Sequence, residues 1–160
     1  MLRSSHRRAA GAVLAVAALT LGGTAYASSP EKAHGPKTIH LTEASTQIQP
    51  AFVDTGNPGL SQGDIVVVRD GVNAQDGTPA GTFNQVCTLV EVASNPFTSA
   101  YECSGSIALE DGTITMQGPF VPAKAEQSAA ITGGTGAYRT ARGQIVVRAE
   151  DDALVVQLER

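Results

Sequence analysis

Residues 82–120 read TFNQVCTLVEVASNPFTSAYECSGSIALEDGTITMQGPF. Apolar and β-branched residues alternate here with Ser, Thr and Gln, the period-two pattern of half-buried strands. Two reversal signals divide the run, Ser94-Asn95-Pro96 and Asp111-Gly112; their residue types tolerate the backbone angles of tight turns. A hairpin about the first places Cys87 opposite Cys103 and Leu89 opposite Tyr101. A hairpin about the second places Leu109 opposite Ile114, Ile107 opposite Met116, Gly105 opposite Gly118 and Cys103 opposite Phe120. One face of this three-stranded sheet then carries Cys87, Leu89, Tyr101, Cys103, Ile107, Leu109, Ile114, Met116 and Phe120. The other carries Thr88, Ser104, Ser106, Thr113, Thr115 and Gln117. The first face is expected to be the inside.

The same pattern extends in both directions. Strands are predicted at Thr38–Ala44, Gln49–Asp54, Asp64–Arg69, Thr82–Val92, Ala100–Leu109, Thr113–Val121, Ala129–Thr132, Gln144–Ala149 and Ala153–Glu159. Asp70-Gly71, Asp76-Gly77 and Asp151-Asp152 mark further reversals, and helical periodicity is hard to find beyond Ala27. Eight or nine short strands in so short a chain indicate a small closed barrel or a sandwich. The glycine run Gly133-Gly134-Thr135-Gly136 has the look of a dinucleotide-binding turn. Such a turn must lead from a parallel strand into a helix, and a strand at Gln144–Ala149 follows too soon. Gly133, Gly134 and Gly136 are therefore expected to form a structural turn.

The N-terminus has its own character. Arg3, Arg7 and Arg8 precede an apolar run from Ala9 to Leu21, followed by Ala25-Tyr26-Ala27. This is the layout of a secretory signal, with cleavage expected near Ala27 and a secreted product. The apolar run falls short of the ~20 residues a membrane helix takes, so no membrane anchor is expected. Residues 28–36 are expected to be a flexible leader and residues 37–160 a single β domain. Removing residues 1–27 leaves eight basic against 15 acidic residues, a formal charge of −7. That surface repels phosphate backbones, and no basic cluster offsets it, so no nucleic acid is expected as a partner.

Cys87 and Cys103 both lie in the exported part, where an oxidising compartment favours a disulfide over a reactive thiol or a metal ligand. His34 and His40 form no ligand spacing with either, so no metal and no cofactor are expected.

Several motifs in order give the chain a likeness. Cys87-Thr-Leu-Val, Gly112-Thr-Ile-Thr-Met-Gln-Gly-Pro-Phe120, Ala130-Ile-Thr-Gly-Gly-Thr-Gly-Ala-Tyr138 and Ala141-Arg-Gly-Gln-Ile-Val-Val147 resemble the allene oxide cyclase family and the related dirigent proteins. Gly63-Asp64-Ile-Val-Val67 and Gly81-Thr82 fit upstream, so the likeness covers roughly residues 38–150. It implies an all-β fold, an eight-stranded antiparallel closed barrel with a ligand-sized lumen, assembled as a homotrimer. Cyclases of this family rearrange a fatty-acid epoxide into a cyclopentenone, largely by shaping the substrate. Dirigent proteins steer the coupling of phenoxy radicals.

The resemblance carries over to single residues unevenly. With Pro50 matching the family's lumen proline, Leu41 stands where the family has its catalytic glutamate and Glu43 where it has an asparagine. A second lumen asparagine falls near Asp70, and the lumen cysteine corresponds to Cys87. Glu43 and Asp70 are thus the candidate catalytic groups. Glu43 is either an inward carboxyl, continuing the Ile39–Leu41–Glu43 alternation, or a solvated strand end. Leu41, Pro50, Leu89, Tyr101, Ile107, Met116 and Phe120 are the candidate lumen walls. Two readings follow. One is a secreted cyclase- or dirigent-like barrel (an isomerase if an enzyme, with true allene oxide cyclase activity disfavoured) that binds a small hydrophobic ligand and biases its closure or coupling. The other is a non-catalytic extracellular ligand carrier or interaction scaffold. Hydrolase chemistry is disfavoured, because no histidine of the mature part lies in a nucleophile–base arrangement.

Overall fold

The computed structural model describes residues 37–44 and 50–159. The signal peptide expected over residues 1–27 and the leader over 28–36 lie outside the described residues.

Nine strands follow one another: β1 Lys37–Glu43, β2 Ala51–Val53, β3 Ile65–Ala74, β4 Pro79–Glu91, β5 Ala100–Leu109, β6 Gly112–Phe120, β7 Glu126–Gly134, β8 Arg142–Arg148 and β9 Ala153–Glu159. Strands β3 to β9 form an antiparallel meander, and β1 closes it by pairing with β9 on one side and β3 on the other. β1 and β2 share one position in the ring. β1 covers β3 from Leu41 opposite Ala74 to Glu43 opposite Val72, and β2 covers its other end from Ala51 opposite Val67 to Val53 opposite Ile65. The result is a closed eight-stranded antiparallel barrel. Closure removes the unpaired edges that would otherwise invite strand addition.

The β4–β5 register places Cys87 opposite Cys103 and Leu89 opposite Tyr101, as the sequence indicates. The β5–β6 register differs from expectation. Ile107 pairs with Ile114, Cys103 with Gly118 and Tyr101 with Phe120, so the two loop residues are Glu110 and Asp111. Gly112 instead opens β6, at a φ of 142° that only glycine adopts easily. The pairing slips by two residues, and because side chains alternate with a period of two, every residue keeps its face.

The glycine run is likewise corrected. Gly133 and Gly134 belong to β7, at a bulge where Thr115 faces Gly133 but Met116 faces Ile131. A side chain on Gly134 would collide with the carbonyl oxygens of Thr113 and Tyr138. Only Gly136 of the three lies beyond the strand, opening the 3₁₀ turn Gly136–Tyr138.

The buried side chains form two clusters. Leu41, Val72, Phe83, Ile107, Ile114, Met116, Ile131, Ile145, Leu154 and Val156 pack into one buried cluster, closed off by Tyr138 and Ala141. Ile107, Ile114, Ile145 and Val156 have no exposed surface at all; each such aliphatic side chain contributes about 1.5–3 kcal/mol on burial. A smaller cluster of Cys87, Leu89, Tyr101 and Cys103 lies further along, against Leu60, Val66 and Phe120. The loop between β2 and β3 is pinned by Asp64, a solvent-excluded residue. Its carboxylate accepts from the backbone N–H groups of Thr55 (3.0 Å) and Ser61 (2.6 Å), which hold its pKa below the ordinary range.

Cys87 and Cys103 are joined in a disulfide, with Cα atoms 4.0 Å apart and a sequence separation of 16. Replacing both by alanine is expected to cost about 3 kcal/mol, through the lost restriction of the unfolded chain. Denaturant melts of the oxidised protein and of the double variant measure the difference.

Candidate functional site

Beyond the packed cluster the barrel holds a cavity of about 430 Å³, within the usual range for small-molecule sites. Its walls come from inward positions of successive strands: Val66 and Val68 on β3, Phe83, Gln85 and Cys87 on β4, Tyr101 on β5, Phe120 on β6, Val147 on β8 and Leu154 on β9. Val66, Val68 and Val147 line the space together with the larger Phe83, Tyr101, Phe120 and Leu154.

The mouth is built by loops. Pro50, Pro96, Phe97, Pro122, Lys124, Arg148, Ala149 and Asp152 surround it. Three prolines fix the local backbone. Phe97 sits in the 3₁₀ turn Pro96–Thr98, where the Asn95 side chain accepts from its N–H at 3.0 Å. Its carbonyl accepts from the Ala123 N–H at 2.8 Å, tying this turn to the β6–β7 loop. Phe97 is therefore held at the rim although two-thirds of it, 67 %, is exposed.

Glu43 is the inward carboxyl of this cavity. It ends β1, follows Ile39 and Leu41 in the alternation, and lines the space. Burial raises its pKa to about 7, and the neighbouring charges of Asp152 and Asp70 push it the same way. Asp70 lies on the inward face of β3 between Val68 and Val72, is buried, and accepts from the Gly71 N–H at 2.8 Å. It does not line the cavity. Gln127 also faces the space, but its Oε1 is committed to the Val121 N–H at 2.7 Å. A group that titrates near 7 inside apolar walls can both give and take a proton at neutral pH. Among the described residues no cluster of three or more His, Cys, Asp or Glu side chains could hold a metal ion.

Of the expected lumen residues, Pro50, Tyr101 and Phe120 line the cavity together with Glu43. Leu41, Ile107 and Met116 do not; they are part of the packed cluster that fills the other end. Leu89 is buried beside the disulfide rather than facing the space. Cys87 contributes to the wall, while Cys103 is buried next to it. Phe83 and Gln85 escaped the sequence reading, although extending the inward parity of Cys87 back along the strand reaches both. Phe97, Lys124, Arg148 and Asp152 come from turns and strand ends, where no periodicity marks them.

The chain belongs to the family of allene oxide cyclase barrel like domains, whose sequence profile matches residues 39–158. It is similar in structure to a pyocyanin demethylase, with 28 % identity and a TM-score of 0.65, covering 77 % of this chain and 100 % of that one. It is also similar to an exo-specific intermolecular Diels-Alderase (13 % identity, TM-score 0.57, 78 % and 98 % covered). A pterocarpan synthase dirigent protein matches at 20 % identity and a TM-score of 0.53, over 85 % of this chain and 95 % of that one. These last two share the fold. No curated protein sequence matches the chain.

Because the folded-state pKa of Glu43 lies above its ordinary value of 4.5, the native state carries a penalty that grows from pH 4.5 to about 7. Glu43→Gln removes it. After allowance for solvent screening at this partly exposed position, the variant is expected to be about 1–2 kcal/mol more stable than the parent above pH 7. The gain should vanish at pH 4, where both carry a neutral side chain. Paired denaturant melts at pH 4 and pH 8 give the comparison.

Proposed function

We propose that residues 1–27 direct export, and that the mature barrel takes a small hydrophobic molecule into its cavity and biases that molecule's rearrangement. Confinement in a dry apolar space restricts geometry and excludes water. Glu43 moves the proton: its neutral carboxyl donates to a basic atom of the ligand and its carboxylate recovers a proton from another, so the ligand is isomerised with no co-reactant. The observation that carries this reading is the joining of an apolar cavity of about 430 Å³ to one carboxyl titrating near 7. The disulfide supports export, since such bonds persist in oxidising compartments. The similarity to a pyocyanin demethylase over that chain's whole length makes pyocyanin the first compound to offer.

Two features favour the carrier reading. Leu41 occupies the place where the resembling cyclases have their acid and is packed in the core, and Cys87 is tied up in the disulfide. The experiment separates the two. Wild type and Glu43→Gln are incubated with pyocyanin and with a panel of apolar polycycles, and binding and conversion are followed by native mass spectrometry and absorbance. For the catalytic reading, Glu43→Gln is expected to lower kcat by roughly 100-fold or more with Kd nearly unchanged. Bound ligand recovered unaltered from both proteins would establish a carrier. Failure of the wild type to bind any of them would overturn both.

The proposal extends to assembly. Val53, Val67, Val86 and Val90, all 39–46 % exposed, share the outer face of β2–β4. Polar residues normally cover such a face in a lone barrel, so it supports the homotrimer implied by the family resemblance. Light scattering is expected to give three copies for the wild type and one for Val86→Glu.

A further inference from the structure

Gln85 puts a neutral polar group into the apolar wall of the cavity. It is half-buried on the inward face of β4, between Phe83 and Cys87, and lines the space with them. Register fixes that direction: Gln85 pairs with Val68 of β3, itself a wall residue, and with Gly105 of β5. Gly105 brings no side chain beside it, and a Cβ there would lie 2.7 Å from the Asn84 carbonyl oxygen and 3.1 Å from Met116 Cε. The inward neighbours of Gln85, along its strand and across it, are thus Phe83, Cys87, Val68 and a bare glycine. None of them offers a strong donor or acceptor.

A carboxamide carries two N–H donors and a carbonyl acceptor. Gln127, Gln62 and Gln144 spend theirs within the protein, on the Val121 N–H at 2.7 Å, the Val90 carbonyl at 2.6 Å and the Gln157 carbonyl at 2.8 Å. The side chain of Gln85 has no hydrogen-bond partner among the described residues. Glu43 enters the cavity from another strand and another position along it, facing Val72 on β3 where Gln85 faces Val68. Amide and carboxyl are therefore separate polar points in one apolar space.

We infer that Gln85 is the polar anchor of the cavity and that the ligand presents a ring amide, a lactam. The lactam carbonyl accepts from Nε2–H, and the lactam N–H donates to Oε1. An open-chain secondary amide is trans and points its N–H and C=O in opposite directions; closing it in a ring brings both to one edge. That edge uses both halves of the carboxamide at once. A ketone or ester supplies an acceptor alone, and an ionised acid sets a second acceptor against Oε1. The inference rests on the lumen-binding reading above and names the class of compound it takes.

Three bicyclic probes of nearly equal shape separate this inference from the reading it rests on. 2-Quinolone presents the lactam edge, coumarin replaces its N–H by a ring oxygen, and naphthalene presents neither. Dissociation constants for wild type and Gln85→Met are measured by equilibrium dialysis at pH 8; methionine keeps the length and volume of the side chain without the amide. The substitution is expected to weaken 2-quinolone about tenfold and coumarin about threefold, and to leave naphthalene within about twofold. Unchanged naphthalene binding also shows that the variant has kept its cavity. An equal loss for all three probes, or no loss for 2-quinolone, overturns the anchor and leaves the lumen reading standing. A loss for coumarin as large as that for 2-quinolone overturns the lactam preference. None of the three bound by the wild type overturns the lumen reading with it.

Discussion

Closure of the sheet through its first strand is the constraint on which the rest depends. β1 has to satisfy β9 along one side and β3 along the other, and that double pairing closes the ring. It meets only the last three residues of β3, and the other end of β3 is covered by β2. The seam between β1 and β2 is where the candidate site gathers. Glu43 is the last residue of one and Pro50 immediately precedes the other, and both line the cavity. The one interrupted position in the ring therefore supplies the inward carboxyl.

With the ring closed, the interior divides into a packed and an open part. All inward positions are chosen by the same alternation, yet Ile107, Ile114, Met116 and Ile131 belong to the packed cluster while Val66, Val68 and Val147 line the cavity with Phe83, Tyr101 and Phe120. The packed half supplies most of the buried apolar surface, and its stability is what permits a void in the other half. Burial does most to raise the pKa of Glu43, followed by the charge of Asp152 in the β8–β9 turn and then that of Asp70 on the inward face of β3. A carboxyl with an ordinary value of 4.5 is thereby raised to about 7.

The inward and outward faces were legible because alternation reports the side of a strand directly. Cys87 opposite Cys103 followed from a turn placed correctly at Asn95. Asp111-Gly112 misled by two residues, since Gly112 was needed for its φ inside the strand rather than for the loop. The faces survived that slip because parity did. Height along the barrel is another matter: alternation cannot tell a residue facing a void from one facing a neighbour, so Leu41, Ile107 and Met116 read the same as Tyr101 and Phe120. Lys124, Arg148 and Phe97 were beyond reach, because their positions depend on how loops from distant parts of the sequence converge.

Fold and chemistry part company at Cys87 and Leu41. The family resemblance places a lumen cysteine at the first and an acid at the second, but here one is covalently closed and the other is packed among apolar side chains. A disulfide sulfur neither donates nor accepts a proton, and a buried leucine can only fill space. Two residues along β1, with the same inward direction, Glu43 puts a carboxyl into the cavity instead. Moving an acid by two positions keeps it on the same face but changes its height in the barrel, by roughly 6–7 Å at the rise of a β-strand. Any atom that Glu43 serves must lie that much nearer the mouth. Chemistry in this barrel is therefore better derived from its own cavity than inherited from its relatives.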